Sequence, residues 1–80
     1  MSRKVLYKPE QIATYYEHLI RRGRIRKGEK LPTVRECGDT WQVSYSTALK
    51  AYRLLQEQGL VEARAGKGVG GTFVIYGESA

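Results

Sequence analysis

Apolar residues along this chain recur three times at helical spacing and then switch to a shorter period. Between Pro9 and Gly23, Ile12, Tyr16, Leu19 and Ile20 make one helical stripe, with Tyr15 beside it. Pro9 suits a first helical position and Glu10 the positive end of the helix dipole. Gly23 ends the segment, and Arg21 and Arg22 meet the negative end of the same dipole. A second, short helix opens at Thr33-Val34-Arg35-Glu36, a T-x-x-E capping box, and is expected to run to about Thr40. Val34, Cys37 and Trp41 form its apolar side, and Trp41 and Gln42 are expected to turn the chain. The third helix runs from about Tyr45 to Gln58, with Ala48, Ala51, Tyr52 and Leu55 at i, i+3, i+4 and i+7. Ser44 is its N-cap, and Val43 and Ala48 can staple its start. Gly59 suits a left-handed residue at its end, with Leu60 packing back on Leu55 in a Schellman-type stop.

Beyond Gly59 the pattern reads as two short strands, Leu60–Arg64 and Thr72–Tyr76. The glycine-rich Ala65–Gly71 between them makes a β-hairpin with a long tip. Arg24–Pro32 is read as a loop anchored by Ile25 and Leu31. Residues 1–8 form an arm with Arg3, Lys4 and Lys8 around Val5, Leu6 and Tyr7, and residues 77–80 form a tail. The order helix, helix, short turn, helix, hairpin predicts a mainly α fold with a small β-hairpin. That is a winged helix-turn-helix occupying residues 1–80 as one domain.

Length and charge narrow the possible functions. Eighty residues allow one small core and leave little room for a catalytic pocket or a small-molecule effector domain. Hydrophobic residues make up 41% and charged residues 28%, as in a folded soluble protein. No apolar run approaches the roughly 18–20 residues that cross a bilayer. With no secretory leader either, the expected location is the cytoplasm, on the nucleoid. The single Cys37 cannot form an internal disulfide, which fits a reducing compartment. Fourteen Lys and Arg against eight Asp and Glu give a net charge of +6. That favours a polyanionic partner, double-stranded DNA before anionic membrane, over a basic domain with no such partner.

The third helix has a polar face that its core stripe does not use. Tyr45, Ser46, Leu49, Lys50 and Arg53 project from its first turns, the composition of a helix that enters a DNA major groove. Ser44, Ser46 and Thr47 can donate hydroxyl hydrogen bonds to phosphate, although Ser44 can equally be a cap alone. Tyr45 and Leu49 can face bases, Leu49 against a thymine methyl, or else cover a neighbouring helix or a dimer interface. Lys50 and Arg53 suit backbone contacts or a solvated face. Arg35, in the first turn of the second helix, can reach guanine or phosphate, or pair with Glu36 or Asp39. Gly66-Lys67-Gly68-x-x-Gly71 has the glycine spacing of a dinucleotide loop, but no helix follows it. A wing tip fits better: glycines, Gly68 and Gly70 among them, let the backbone approach DNA and Lys67 supplies charge, against the alternative of a flexible loop. The basic cluster Arg21, Arg22, Arg24, Arg26, Lys27 and Lys30 can grip flanking phosphate, remain solvated or meet an acidic partner. His18 and Cys37 stand alone, so no metal site is expected, and Cys37 is read as core filler. Trp41, Tyr16 and Phe73 are read as core. No catalytic constellation or cofactor motif is visible, and no enzyme is expected.

Several of these pieces occur together in one known order. Leu31-Pro32-Thr33 precedes Arg35-Glu36, then Val43-Ser44 with Thr47, then Gln58-Gly59-Leu60-Val61, then Gly66-x-Gly68 and Gly71-Thr72-Phe73-Val74. In this the chain resembles the DNA-binding domain of the GntR family of bacterial transcription regulators, over roughly residues 7–75. The resemblance implies a winged helix-turn-helix that binds operator DNA as a dimer, commonly on inverted repeats. It also implies that Arg35, the start of the third helix and the wing glycines approach the DNA. Tyr45, Leu49, Cys37 and Gln42 depart from the residues frequent at those positions, and the wing tip is longer by Val69-Gly70. The family normally continues into an effector-binding, dimerising domain, so this sequence is expected to be either a minimal regulator or the DNA-binding half of a longer protein. A sequence-specific regulator, in particular a repressor acting as a homodimer on DNA, is therefore the first expectation. An architectural or recombination accessory protein, and a winged-helix protein-interaction module, are the alternatives.

Overall fold

The computed structural model describes residues 7–66 and 70–77. Its elements are α1 (Pro9–Arg21), α2 (Val34–Trp41), α3 (Tyr45–Glu57), β1 (Val61–Arg64) and β2 (Gly71–Val74). This is the expected winged helix-turn-helix, with α2 and α3 as the helical pair and the hairpin as the wing.

The helix ends follow the local signals. At α2 the Glu36 amide donates to Thr33 Oγ1 at 3.1 Å, and the Thr33 amide donates to Glu36 Oε1 at 2.8 Å. These reciprocal bonds satisfy two donors that the first turn would otherwise leave unpaired. At α3 the Thr47 amide donates to Ser44 Oγ at 3.2 Å. The α3 stop is a full Schellman motif: Leu60 N–H donates to the Leu55 carbonyl at 3.1 Å, and Gly59 N–H to Gln56 at 2.9 Å. Gly59 sits at φ +75°, where a side chain would be strained. The α1 stop repeats this pattern, with Arg24 N–H donating to Leu19 and Gly23 N–H to Ile20.

Several boundaries differ from expectation. Helix α2 includes Trp41, so the left-handed turn residue is Gln42 alone, at φ 57°. Its amide nitrogen Nε2 donates to the Asp39 carbonyl at 2.8 Å, a local bond that offsets part of the strain. Helix α3 ends at Glu57, one residue early, because the Schellman turn uses Gln58 as its cap. The strands lose Leu60, Ile75 and Tyr76 at their outer ends, and β2 gains Gly71 from the expected tip, so pairing runs from Val61↔Val74 to Arg64↔Gly71.

The segment read as a loop is in part a third edge of the wing. Val74 N–H donates to the Glu29 carbonyl at 2.9 Å, and Leu31 N–H donates to Thr72 at 2.8 Å, bridging Lys30 to Phe73. Gly28 N–H adds a bond to Val74 at 2.8 Å. The open side of β2 is thus paired, which removes an exposed strand edge.

The core gathers one face from each helix and the inner face of the wing. It contains Ile12, Ala13, Tyr16 and Ile20 from α1, Cys37 from α2, and Ala48, Ala51, Tyr52 and Leu55 from α3. Leu31, Leu60, Val61 and Val74 close it. Each fully buried Leu or Ile contributes about 1.5–3 kcal/mol. Leu19, Ile25, Val34 and Trp41 pack partly buried around this centre. Phe73 does not join it. Alternation along β2 turns Thr72 and Val74 inward, so Phe73 lies half-buried on the opposite face.

Candidate nucleic-acid interface

The starts of α2 and α3 carry Arg35, Ser44, Tyr45, Ser46 and Thr47 of the residues singled out in the sequence. Both helices are capped by a hydroxyl, which fixes their entry geometry and leaves the earliest amides free for an anion. Arg35 follows the α2 cap and is exposed. Among the described residues the ion pairs are Arg21–Glu17 and Arg64–Glu62, so Arg35 is paired with neither Glu36 nor Asp39. Glu36 is occupied otherwise. The Thr33 amide and hydroxyl hold its carboxyl below the usual carboxylate range, with Lys30 adding to the effect.

On α3 the side chains divide by role. Ser44 Oγ accepts from the Thr47 amide and lies 3.0 Å from Thr47 Oγ1, so both hydroxyls are engaged in the cap. Tyr45 is 59% exposed, which removes the reading that it covers a neighbouring helix of this chain. Ser46 is exposed, while Thr47 and Leu49 are half-buried. Lys50 and Arg53 are exposed but lie toward α1. They line a shallow groove with Pro9, Glu10, Leu54 and Glu57. The structure therefore brings Arg35, Tyr45 and Ser46 forward as exposed groups at capped helix starts, and sets Lys50 and Arg53 at the α1 margin.

On the wing, Gly70 is half-buried, and a Cβ there would meet the Gly66 and Arg64 carbonyl oxygens at 2.8 and 3.0 Å. A glycine is needed for that close backbone approach. Lys67 and Gly68 lie outside the described residues. Of two cations on the wing, Arg64 was not singled out in the sequence, and Lys30 was named there only as part of the basic cluster. The Arg64 guanidinium sits 4.5 Å from the centroid of the Phe73 ring, and Lys30 crosses Gly71. The alternation of Glu62, Arg64 and Phe73 on one strand face is the signal that would have grouped them, once the hairpin register was known.

The basic cluster after α1 is not uniform. Arg21 pairs with Glu17 at 2.9 Å and lies 5.3 Å from the Tyr76 ring centroid. Arg22, Arg24, Arg26 and Lys27 are exposed. On the far side of α1, Tyr7 and Tyr15 stand edge-on to Trp41 with centroids 5.0 and 5.1 Å away. Among the described residues no group of three or more His, Cys, Asp or Glu could hold a metal, and no helix is long and apolar enough to cross a membrane. Cys37 is fully buried, and burial pushes its thiol up in pKa, as expected for core filler rather than a reactive thiol.

Comparison with known proteins gives a consistent picture. The family model of bacterial regulatory proteins, gntR family, matches residues 8–74. The HTH-type transcriptional repressor YtrA of Bacillus subtilis (strain 168) is 36% identical over 59 residues, covering 74% of this chain and 45% of that protein. The chain thus spans less than half the length of that relative. AraR(DBD), solved in complex with operator ORX1, superposes with a TM-score of 0.72 at 34% identity, over 92% of this chain and 86% of that one. A transcriptional antiterminator from Listeria monocytogenes EGD-e superposes with a TM-score of 0.76 at 28% identity, over 100% of this chain and 57% of that one.

Proposed function

The chain belongs to the GntR family of bacterial regulatory proteins, and on that footing we propose that it is a sequence-specific repressor of transcription that binds double-stranded operator DNA. The observation that carries this reading is the pair of hydroxyl-capped helix starts, which present Arg35, Tyr45 and Ser46 exposed, with no ion pair for Arg35 among the described residues. A capped N-terminus supplies oriented amides for phosphate, and the side chains beside it reach base edges.

In this reading α3 docks in the major groove, and Tyr45, Ser46 and Leu49 contact bases and the adjoining sugar-phosphate chain. Arg35 makes a bidentate contact to guanine or clasps a phosphate. The wing tip, with Lys67, Gly68 and Gly70, lies on the adjacent backbone or minor groove. Residues 1–80 act as one DNA-binding unit in the cytoplasm, and two copies occupy an inverted repeat. The operator-bound AraR(DBD) and the repressor YtrA support the partner and the sign of regulation by likeness.

Selection from a random duplex pool at about 150 mM salt, where nonspecific phosphate binding is weakened, tests the proposal. The expected result is an enriched inverted repeat with half-sites about one helical turn apart. Retained bulk binding with no enriched motif would overturn sequence-specific recognition in favour of an architectural role.

A further inference from the structure

The outer face of the wing holds two cations in fixed places. Directly paired residues share a face of a sheet, so Glu62 and Phe73, and Arg64 and Gly71, lie on the side away from buried Val61 and Val74. Lys30 bridges Phe73 from the other side of β2 and joins that face. Each cation has a built support. The Arg64 guanidinium rests over the Phe73 ring, 4.5 Å from its centroid, an arrangement favoured by the ring's negative face. The stem of Lys30 crosses Gly71 so closely that a Cβ there would run into its Cε and stand 3.3 Å from its Cδ and Nζ. Gly71 also has φ +144°, a backbone that only glycine adopts freely.

Charge on this face is poorly compensated. Arg64 donates from Nε and Nη2 to the two Glu62 carboxylate oxygens at 3.4 and 3.5 Å, a long exposed pair that water and salt weaken and that a phosphate would displace. Lys30 lies three residues before Thr33, the cap of α2, and its charge also favours the ionised form of Glu36. The two cations therefore continue the candidate interface from the α2 start onto the body of the wing.

We propose that Lys30 and Arg64 form a phosphate clamp, gripping the duplex backbone beside the segment read by α3. The inference rests on the DNA-binding reading and adds two contacts to it. Arg64 offers a planar fork that matches phosphate oxygens, and Phe73 fixes the plane of that fork. Lys30 supplies a point charge beside it, with its stem laid across Gly71. Contacts of this kind position the protein without reading sequence.

The test is the salt dependence of binding to a short labelled duplex of mixed sequence, from about 50 to about 200 mM salt, for the full chain and its variants. Lys30→Met and Arg64→Met are each expected to lower the steepness of log affinity against log salt by about 0.9, and the double variant by about 1.8. Phe73→Leu keeps an apolar strand residue but removes the ring, so Arg64→Met should have a smaller effect in that background. A slope equal to wild type in both single variants, with wild type binding normally, would overturn the clamp and leave the DNA reading intact. Wild-type protein that fails to bind even at the lowest salt would overturn both.

Discussion

The Tyr52 hydroxyl donates a hydrogen bond to the Pro32 carbonyl at 2.6 Å. This bond ties the middle of α3 to the peptide just before the α2 cap, so the helix starts that carry Arg35 and Tyr45 are braced against each other. Tyr52 is 1% exposed, and its ring meets Tyr16 edge-on at 6.0 Å. Replacing Tyr52 by Phe keeps the ring and removes the bond. We expect a loss of about 1 kcal/mol, read as a melting temperature lower by about 4–8 °C. A melt indistinguishable from wild type would show that water replaces the hydroxyl at no cost.

The same buried cluster sets the response to alkali. Burial raises the pKa of Cys37, Tyr16 and Tyr52 above their ordinary values, so the folded state favours their neutral forms. For groups with raised folded-state pKa, the stabilisation is complete below the unfolded values, about 8.5 for Cys and about 10 for Tyr. It is lost as pH rises through those values toward the folded ones, because the unfolded chain then binds fewer protons. Urea midpoints should therefore be flat near neutrality and fall above about pH 9, with a shallower fall in Tyr52→Phe. A midpoint that holds constant to about pH 10.5 would contradict this assignment.

Gln42 occupies a position that suits glycine. At φ 57° a side chain costs about 1 kcal/mol, and the Nε2 bond to Asp39 returns only part of that. Gln42→Gly should raise stability by about 0.5 kcal/mol, while Gln42→Val, β-branched and without the bond, should lower it by more than 1 kcal/mol, on the order of the αL penalty. Denaturant midpoints of the two variants give the comparison, and movement of both in one direction would count against the backbone explanation.

Arg35 and Ser44 should separate recognition from folding. Arg35 is exposed and has no ion pair among the described residues, so Arg35→Ala should leave the melt unchanged. It should weaken binding to the selected duplex at least about tenfold, or about 1.4 kcal/mol. Ser44→Ala removes the α3 cap and should cost about 1 kcal/mol of stability. Thermal melts and fluorescence titrations on the same samples distinguish the two, and an Arg35→Ala variant with wild-type affinity would remove that residue from the interface.

Local signals account for what was legible in the residues. The Thr33–Glu36 box, the Ser44 cap and the Gly59–Leu60 stop each depend on groups within a few positions of one another, and each forms with the expected partners. The apolar stripes Ile12–Tyr16–Ile20 and Ala48–Ala51–Tyr52–Leu55 are also buried as their spacing demands. A helix needs only its own 3.6-residue period to decide which side is covered.

What was missed depends on partners far away in the chain. Glu29–Leu31 carry no alternating apolar pattern, and they pair with β2 only because the packed helices bring them there. The same register decides that Phe73 leaves the core and supports Arg64, and that Lys30 crosses Gly71. The groove that Lys50 and Arg53 share with Pro9 and Glu10 follows from how α1 packs on α3, which periodicity along one helix does not specify. The sequence by itself determined the three helices, their capping motifs and the presence of the hairpin, since those rest on short-range hydrogen bonds, turn residues and local period. Only the tertiary structure decided which cations share a surface and which aromatic residue supports one of them, because strand register and helix crossing arise from packing between distant segments.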